Sequence, residues 1–201
     1  AAFAEVVEVA ATVIEQVTPE QMERATACEG YDVKRMLAHL VMVARRVAAA
    51  GRGDPPTTWA QEDQGPEAHE YLGLWRQAAA EATAAWSAPG VLERDTTLPW
   101  GTFPGANALA TYVNEVLVHT WDLAQGLGCE PTWDPEVLAV ADAAIRAQLP
   151  VADREPLWAA VKQHLPAGYP WEDPFGPAIE VADDAPGIDR LLAWNGRDPN
   201  R

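Results

Sequence analysis

Serine, cysteine, histidine and basic side chains are all scarce in this sequence, and each shortage removes a class of function. Ser87 is the single serine and has no histidine near it in the chain, so a serine-based catalytic triad finds no support. Two cysteines, Cys28 and Cys129, are too few for a disulfide framework, and a reducing, cytoplasmic location is expected. The 14 Lys+Arg stand against 30 Asp+Glu, a net charge of −16. A surface this acidic repels phosphate backbones, which argues against nucleic acid and anionic membranes as partners. No apolar run approaches the roughly 18–20 residues that span a bilayer. The opening stretch AAFAEVVEVAATVIEQV carries glutamates and no basic residue, unlike a signal peptide. There is no internal repeat, no strand–helix alternation and no Gly-rich phosphate loop.

What is present is a helical pattern. With 48% hydrophobic and 22% charged residues, the 201-residue chain reads as a single globular domain able to bury a sizeable core. The expected division is a core bundle over about 1–128 and a C-terminal helical extension and tail over about 129–201. Phe3, Val6, Val7, Ala10, Val13, Ile14 and Val17 repeat at helical spacing in a first helix over roughly 2–17. Thr18-Pro19 opens a short further turn. Asp32 caps a second helix whose apolar stripe is Met36, His39, Leu40, Val43 and Val47, with Tyr31 placed to staple onto Met36 and Gly51 as its expected end. GRGDPPTTWAQEDQG and VLERDTTLPWGTFPG read as irregular connections. Between them lies a third helix, about 66–88, and after them a fourth, about 105–126. Segments near 134–149, 153–165 and 188–194 add shorter helices to a Pro/Gly-rich tail. Long helices joined by irregular crossovers predict an all-α four-helix bundle.

The fourth helix carries the line of most chemical interest, Asn114-Glu115-Val116-Leu117-Val118-His119-Thr120-Trp121-Asp122. Glu115 and His119 are four residues apart, so they stand on one face, among Leu109, Tyr112, Val113, Val116 and Leu123. A carboxylate near a core needs a partner. That partner is either a histidine hydrogen bond or a divalent metal, which an anionic oxygen and a neutral imidazole can share. His39 sits inward on the second helix, and bundles assemble sites from facing helices. His39, Glu115 and His119 together would make three protein ligands with a fourth position open, the pattern of a catalytic site. Asp122 reads equally as a partner orienting an imidazole or as a solvated helix-end residue.

The string Cys28-Glu29-Gly30-Tyr31-Asp32-Val33-Lys34-Arg35-Met36-Leu37-Ala38-His39-Leu40 resembles the C-x-G-W-x-V-x-x-L-x-A-H-L segment of actinobacterial DinB-like proteins. Glu115 through Ala124, following Pro104-Gly105, resembles their E-x-x-x-H-x-W-D-L-A signature. The tail from Phe175-Gly176-Pro177 through Asp183-Asp184-Ala185-Pro186 to Asp189-Arg190-Leu191-Leu192-Ala193 is similar to a C-terminal segment of one branch. The group includes the family related to mycothiol-dependent maleylpyruvate isomerase. The resemblance implies a four-helix bundle with a long crossover, and a divalent metal (zinc first, nickel or another ion second) held by His39, Glu115 and His119. It also implies a low-molecular-weight thiol cosubstrate of the mycothiol kind. A metal-activated thiolate would add to an electrophilic double bond or displace a leaving group, giving isomerisation or a thiol conjugate. Tyr31 stands where the pattern has Trp. No separate C-terminal α/β domain is expected within these residues, and no basic residue is identifiable as a dicarboxylate clamp; Arg45, Arg46 and Arg94 are candidates by elimination.

The expectation is therefore a metal-dependent thiol S-transferase or isomerase acting on a small electrophilic metabolite, with His39, Glu115, His119 and Asp122 as its site. The alternatives are a non-catalytic metal- or ligand-binding stress-response bundle and a metal-dependent hydrolase with Asp122 as base. Expected partners are a small-molecule substrate and a thiol, with the chain acting as monomer or homodimer. His69 is expected to be exposed and His164 to sit at a helix end, where a cation suits the dipole. Cys28 and Cys129 are expected to be inert thiols. Among nine tryptophans, Trp75, Trp86, Trp121 and Trp158 are expected in the core. Trp59, Trp100, Trp133 and Trp171 are expected to pin loops onto the bundle, with Trp59, Trp100 and Phe103 alternatively lining an apolar pocket above the metal.

Overall fold

The computed structural model describes residues 2–165 and 175–200. Four long helices form the bundle: α1 (Ala2–Ile14), α2 (Val33–Arg52), α3 (Tyr71–Trp86) and α4 (Gly105–Leu127). α2 packs on α3 and α4, and α1 packs on α4 and α3, so each helix touches two neighbours around one core. The stripes read from the sequence are the buried faces: Val6, Ala10 and Val13 of α1, Met36, Leu40 and Val47 of α2, and Val113, Val116 and Leu123 of α4 are all essentially without exposure. Trp75 and Trp86 of α3 are buried as expected, and their indole N–H groups donate to Val7 O (3.0 Å) and Val47 O (2.8 Å). α5 (Pro135–Gln148) lies on α4 and α1, followed by α6 (Glu155–His164), and α7 (Gly187–Trp194) packs on α5. Trp121 and Trp158 are buried too.

Several boundaries differ from expectation. α1 ends at Ile14, three residues early. α2 runs past Gly51 to Arg52 and is closed by Gly53, which takes the left-handed conformation (φ 83°) and donates its N–H to Ala49 O and Ala50 O. Gly51 has a different reason to be glycine: a Cβ there would lie 2.9 Å from Ala85 Cβ and from the Trp86 ring, so α2 and α3 approach too closely for a side chain. The segment expected to be irregular before α4 contains a hairpin, β1 (Asp95–Leu98) antiparallel to β2 (Gly101–Pro104), with Pro99 and Trp100 at its turn. Alternation of burial along β1, with Thr96 and Leu98 turned inward, is what holds it against the bundle.

α2 and α4 run antiparallel. Val33 at the start of α2 faces Gly126 near the end of α4. At the other end, Arg94 donates to Gly51 O (2.9 Å) while its own carbonyl accepts from Gly105 N (2.8 Å). Arg94 thus closes the C-terminus of α2, not a substrate site. Among the described residues no helix is long and apolar enough to cross a membrane.

Candidate metal centre

His39 from α2 and Glu115 and His119 from α4 meet where the two helices face each other. His119 Nε2 lies 3.4 Å from Glu115 Oε1, and His39 Nε2 lies 3.5 Å from the same oxygen. The two imidazole rings meet edge to face, 4.6 Å between centroids. Ligand atoms about 2.0–2.1 Å from a tetrahedral ion stand about 3.3–3.4 Å apart, so the observed separations match the edges of such a site.

The far side of each ring is tied to a carboxylate. His39 Nδ1 is 2.9 Å from Glu62 Oε1, and His119 Nδ1 is 3.0 Å from Asp122 Oδ2. A proton on each Nδ1, donated to its carboxylate, leaves both Nε2 atoms as lone pairs pointing at Glu115. His39 Nε2 is buried and makes no hydrogen bond among the described residues. Two imidazole lone pairs and a carboxylate oxygen facing one another repel unless a proton or a metal cation sits among them. Without a metal the proton goes to His119: burial alone would lower its pKa, but Glu115 and Asp122 push it up to about 9. Burial likewise raises the Glu115 carboxyl, yet the adjoining imidazoles outweigh it and hold Glu115 well below the usual carboxylate range.

The outer partners are themselves braced. Arg35 Nε donates to Glu62 Oε2 (3.3 Å), the Tyr31 hydroxyl donates to Glu62 Oε1 (3.3 Å), and the Arg35 guanidinium lies 3.8 Å over the Tyr31 ring. Burial raises the Glu62 carboxyl, and the hydrogen bond with His39 and the charge of Arg35 bring it below its ordinary value. Asp122 is fully buried, not solvated, and Arg197 grips both of its oxygens, Nε to Oδ1 at 2.8 Å and Nη2 to Oδ2 at 2.9 Å. Its carboxyl is held low despite burial by His119 and Arg197. Arg197 reaches this point because Asn195, just after α7, and Asn114 of α4 form a buried reciprocal amide pair (2.9 and 3.0 Å). Glu62, Arg197 and Asn195 are site-building residues that the sequence reading did not single out.

Cys28 also comes near: its sulfur accepts from Arg197 Nη2 at 3.4 Å, and with His119 and Asp122 it forms a second cluster of metal-ligating atoms. Both Asp122 oxygens in that cluster are already engaged, and burial, only partly offset by Arg197, pushes the Cys28 thiol up to about 11. Cys28 is an un-ionised thiol at neutral pH, as expected. Burial raises the half-buried Cys129 as well. His69 is exposed and joins no site; the His164 side chain and Trp171 lie outside the described residues.

The centre opens into a cleft of about 1660 Å³. Trp59, Trp100 and Phe103 all line it, together with Arg35, Arg46 and Arg197. Trp59 also pins its loop, donating Nε1–H to Asp54 O at 2.9 Å. Of the three arginines considered as a clamp, only Arg46 borders this cleft; Arg45 lines a separate small pocket on the other side of α2.

Residues 3–124 match the mycothiol maleylpyruvate isomerase N-terminal domain family. The chain belongs to this family. The matched span of this mycothiol maleylpyruvate isomerase N-terminal domain contains His39, Glu62, Glu115, His119 and Asp122, and stops short of Arg197. A solved structure, a histidine-to-alanine variant of mycothiol-dependent maleylpyruvate isomerase, shares the fold at TM-score 0.55 and 16% identity, covering 72% of this chain and 66% of that one. The chain therefore spans just under two thirds of that structure's length. No curated protein matches it.

Proposed function

We propose that this protein binds a divalent metal, zinc first, at His39, Glu115 and His119, and uses it to activate a low-molecular-weight thiol of the mycothiol type. The reaction is transfer of that thiol to a small electrophilic metabolite or isomerisation of it. The observation that carries the reading is the convergence of two imidazole Nε2 atoms on one carboxylate oxygen at 3.4 and 3.5 Å, one of them buried without a hydrogen bond. Membership of the mycothiol maleylpyruvate isomerase N-terminal domain family supports the choice of thiol.

When bound, the ion supplies a Lewis acid that lowers the pKa of a thiol, so that a thiolate exists at neutral pH. This chain's own residues do the rest. Glu62 and Asp122 keep the Nδ1 protons of His39 and His119, fixing both rings with Nε2 toward the ion. Arg197 compensates the buried charge of Asp122. The aromatic walls of the cleft exclude water around the reacting sulfur. Sulfur adds to an electrophilic carbon and the thiol proton passes to the adjacent carbon or to solvent. Reversal after rotation about the new single bond isomerises the substrate, and retention of the carbon–sulfur bond gives the conjugate. A hydrolytic role with Asp122 as base is not favoured, because both of its oxygens are held and it has no exposure.

The test is conjugation of mycothiol to a reporter electrophile by metal-loaded protein. Loss of the rate with His39→Ala supports the reading; an unchanged rate rejects it. Hydrolysis of an ester without any thiol would favour the hydrolase.

A further inference from the structure

The cleft has two chemically different ends, set by the antiparallel run of α2 and α4 on either side of the centre. About one helical turn from Glu115 and His39, toward the start of α4 and the end of α2, stand Tyr112, Met42 and Val43. The hairpin lays Trp100 against Tyr112 (ring centroids 6.4 Å apart) and adds Phe103, while the connection after α2 adds Trp59. Toward the other end lie Ala25–Glu29, Trp121, Gln125, Arg197 and Asp198, a more polar wall. A further side of the cleft is apolar, lined by Ile145, Leu149, Leu157, Trp158 and Phe175.

The charges lining the cleft do not suit a dianion. With the proposed ion and thiolate in place the charges balance: three guanidinium groups, Arg35, Arg46 and Arg197, and the divalent ion face four carboxylates, Glu29, Glu62, Glu115 and Asp198, and the thiolate, which leaves no excess of positive charge for a dianion. Each guanidinium already bonds a protein oxygen: Arg35 that of Glu62, Arg197 those of Asp122, and Arg46 Nε the carbonyl of Ala60 at 2.9 Å. Arg46, bonded only through Nε among the described residues, keeps its terminal amino groups for one anionic group, whereas the second carboxylate of a dicarboxylate would need donors taken from Glu62 or Asp122, in a chain of net charge −16. The volume of about 1660 Å³ also exceeds the roughly 300–1,000 Å³ of a cleft holding one drug-sized ligand, leaving room for a thiol and a second bulky molecule together.

We infer that the electrophile this site takes is a bulky aromatic compound carrying at most one negative charge, seated between Trp59, Trp100, Phe103 and Tyr112, not a small dicarboxylate. This deepens the thiol-transfer reading and rests on it for the reaction, but ligand binding can be measured without turnover. With an aryl halide as electrophile, the carbon–sulfur bond forms at the ring carbon, halide leaves with the carbon–halogen electron pair, and the thiol proton goes to buffer.

The experiment is calorimetric titration of the full chain with 1,3-dinitrobenzene, an unreactive aromatic probe, and with maleate. Dinitrobenzene is expected to bind at least about tenfold more tightly than maleate. Trp100→Ala and Phe103→Ala, both half-buried at the hairpin, are each expected to weaken it about three- to tenfold, while Arg45→Ala, on the other side of α2, leaves it unchanged. Equal or tighter maleate binding, or dinitrobenzene affinity indifferent to both hairpin variants, overturns the inference; the wild-type comparison decides even if a variant misfolds. Mycothiol turnover of 1-chloro-2,4-dinitrobenzene then separates the two claims. Tight aromatic binding without conjugation refutes the thiol reading and upholds the ligand class. Conjugation of maleate faster than the aryl chloride, each over its uncatalysed rate, does the reverse.

Discussion

Replacing Arg197 with methionine should destabilise the protein by about 3 kcal/mol, the lower part of the range for breaking one partner of a buried ion pair. The structure sets that magnitude. Asp122 has no exposure and Arg197 is only 10% exposed at the side chain, so water cannot replace the guanidinium. Two charge-assisted bonds, 2.8 and 2.9 Å, disappear together, while His119 still reaches one carboxylate oxygen and limits the loss. The assay is urea unfolding followed by helical circular dichroism, in a cycle with Asp122→Asn. Coupling between the two sites should reach about 2 kcal/mol, since a neutral amide no longer needs the cation. The pH dependence follows from the depressed Asp122 carboxyl. A group held low contributes stability above its unfolded value, about 3.9, and loses it as pH falls through its folded value. Wild type and Arg197→Met should therefore differ fully at neutral pH and converge in acid. A loss under about 1 kcal/mol at pH 7, additive with Asp122→Asn, would refute the claim that Arg197 compensates a buried charge.

Further outcomes follow from the same geometry. Gly51→Ala should cost about 1–3 kcal/mol in thermal or urea unfolding, because its Cβ would meet Trp86 and Ala85 at 2.9 Å. Glu62→Ala should weaken metal affinity about 10–100-fold in competition with a chelator, since His39 then lacks its Nδ1 acceptor; unchanged affinity would show that the ring needs no such support. Cys28, raised from an ordinary 9.0 to about 11, should be alkylated at pH 8 about a hundredfold more slowly than a free thiol, and faster as pH rises toward 11. Mass-spectrometric mapping of the alkylated peptide checks it.

Much of this architecture is legible in the sequence because helix burial is periodic. The stripes of α1, α2 and α4 and the cap at Asp32, which accepts from Arg35 N at 2.7 Å, can be read directly. The proposed ligand trio is legible for the same reason: helical spacing puts Glu115 and His119 on one face of α4 and His39 on the inward stripe of α2. The hairpin is hidden in a stretch whose Pro and Gly suggest irregular chain, since four-residue strands carry too few alternations to register. Glu62 is hidden because a loop carboxylate between Gln61 and Asp63 has no period to say which way it faces. Arg197 depends on a pairing of Asn114 with Asn195 across 81 positions, which no local pattern encodes. Gly51 reads in the sequence as a helix end because glycine is common there, whereas close approach of α3 is the reason for it.

The measurement that bears most directly on the central claim is metal content by mass spectrometry of protein purified without chelator, for wild type, His39→Ala and His119→Ala. Close to one divalent ion per chain in wild type, with most of it lost in both variants while the helical spectrum is retained, is the predicted result. Equal metal in all three proteins, or none in wild type even after loading with zinc, would contradict it.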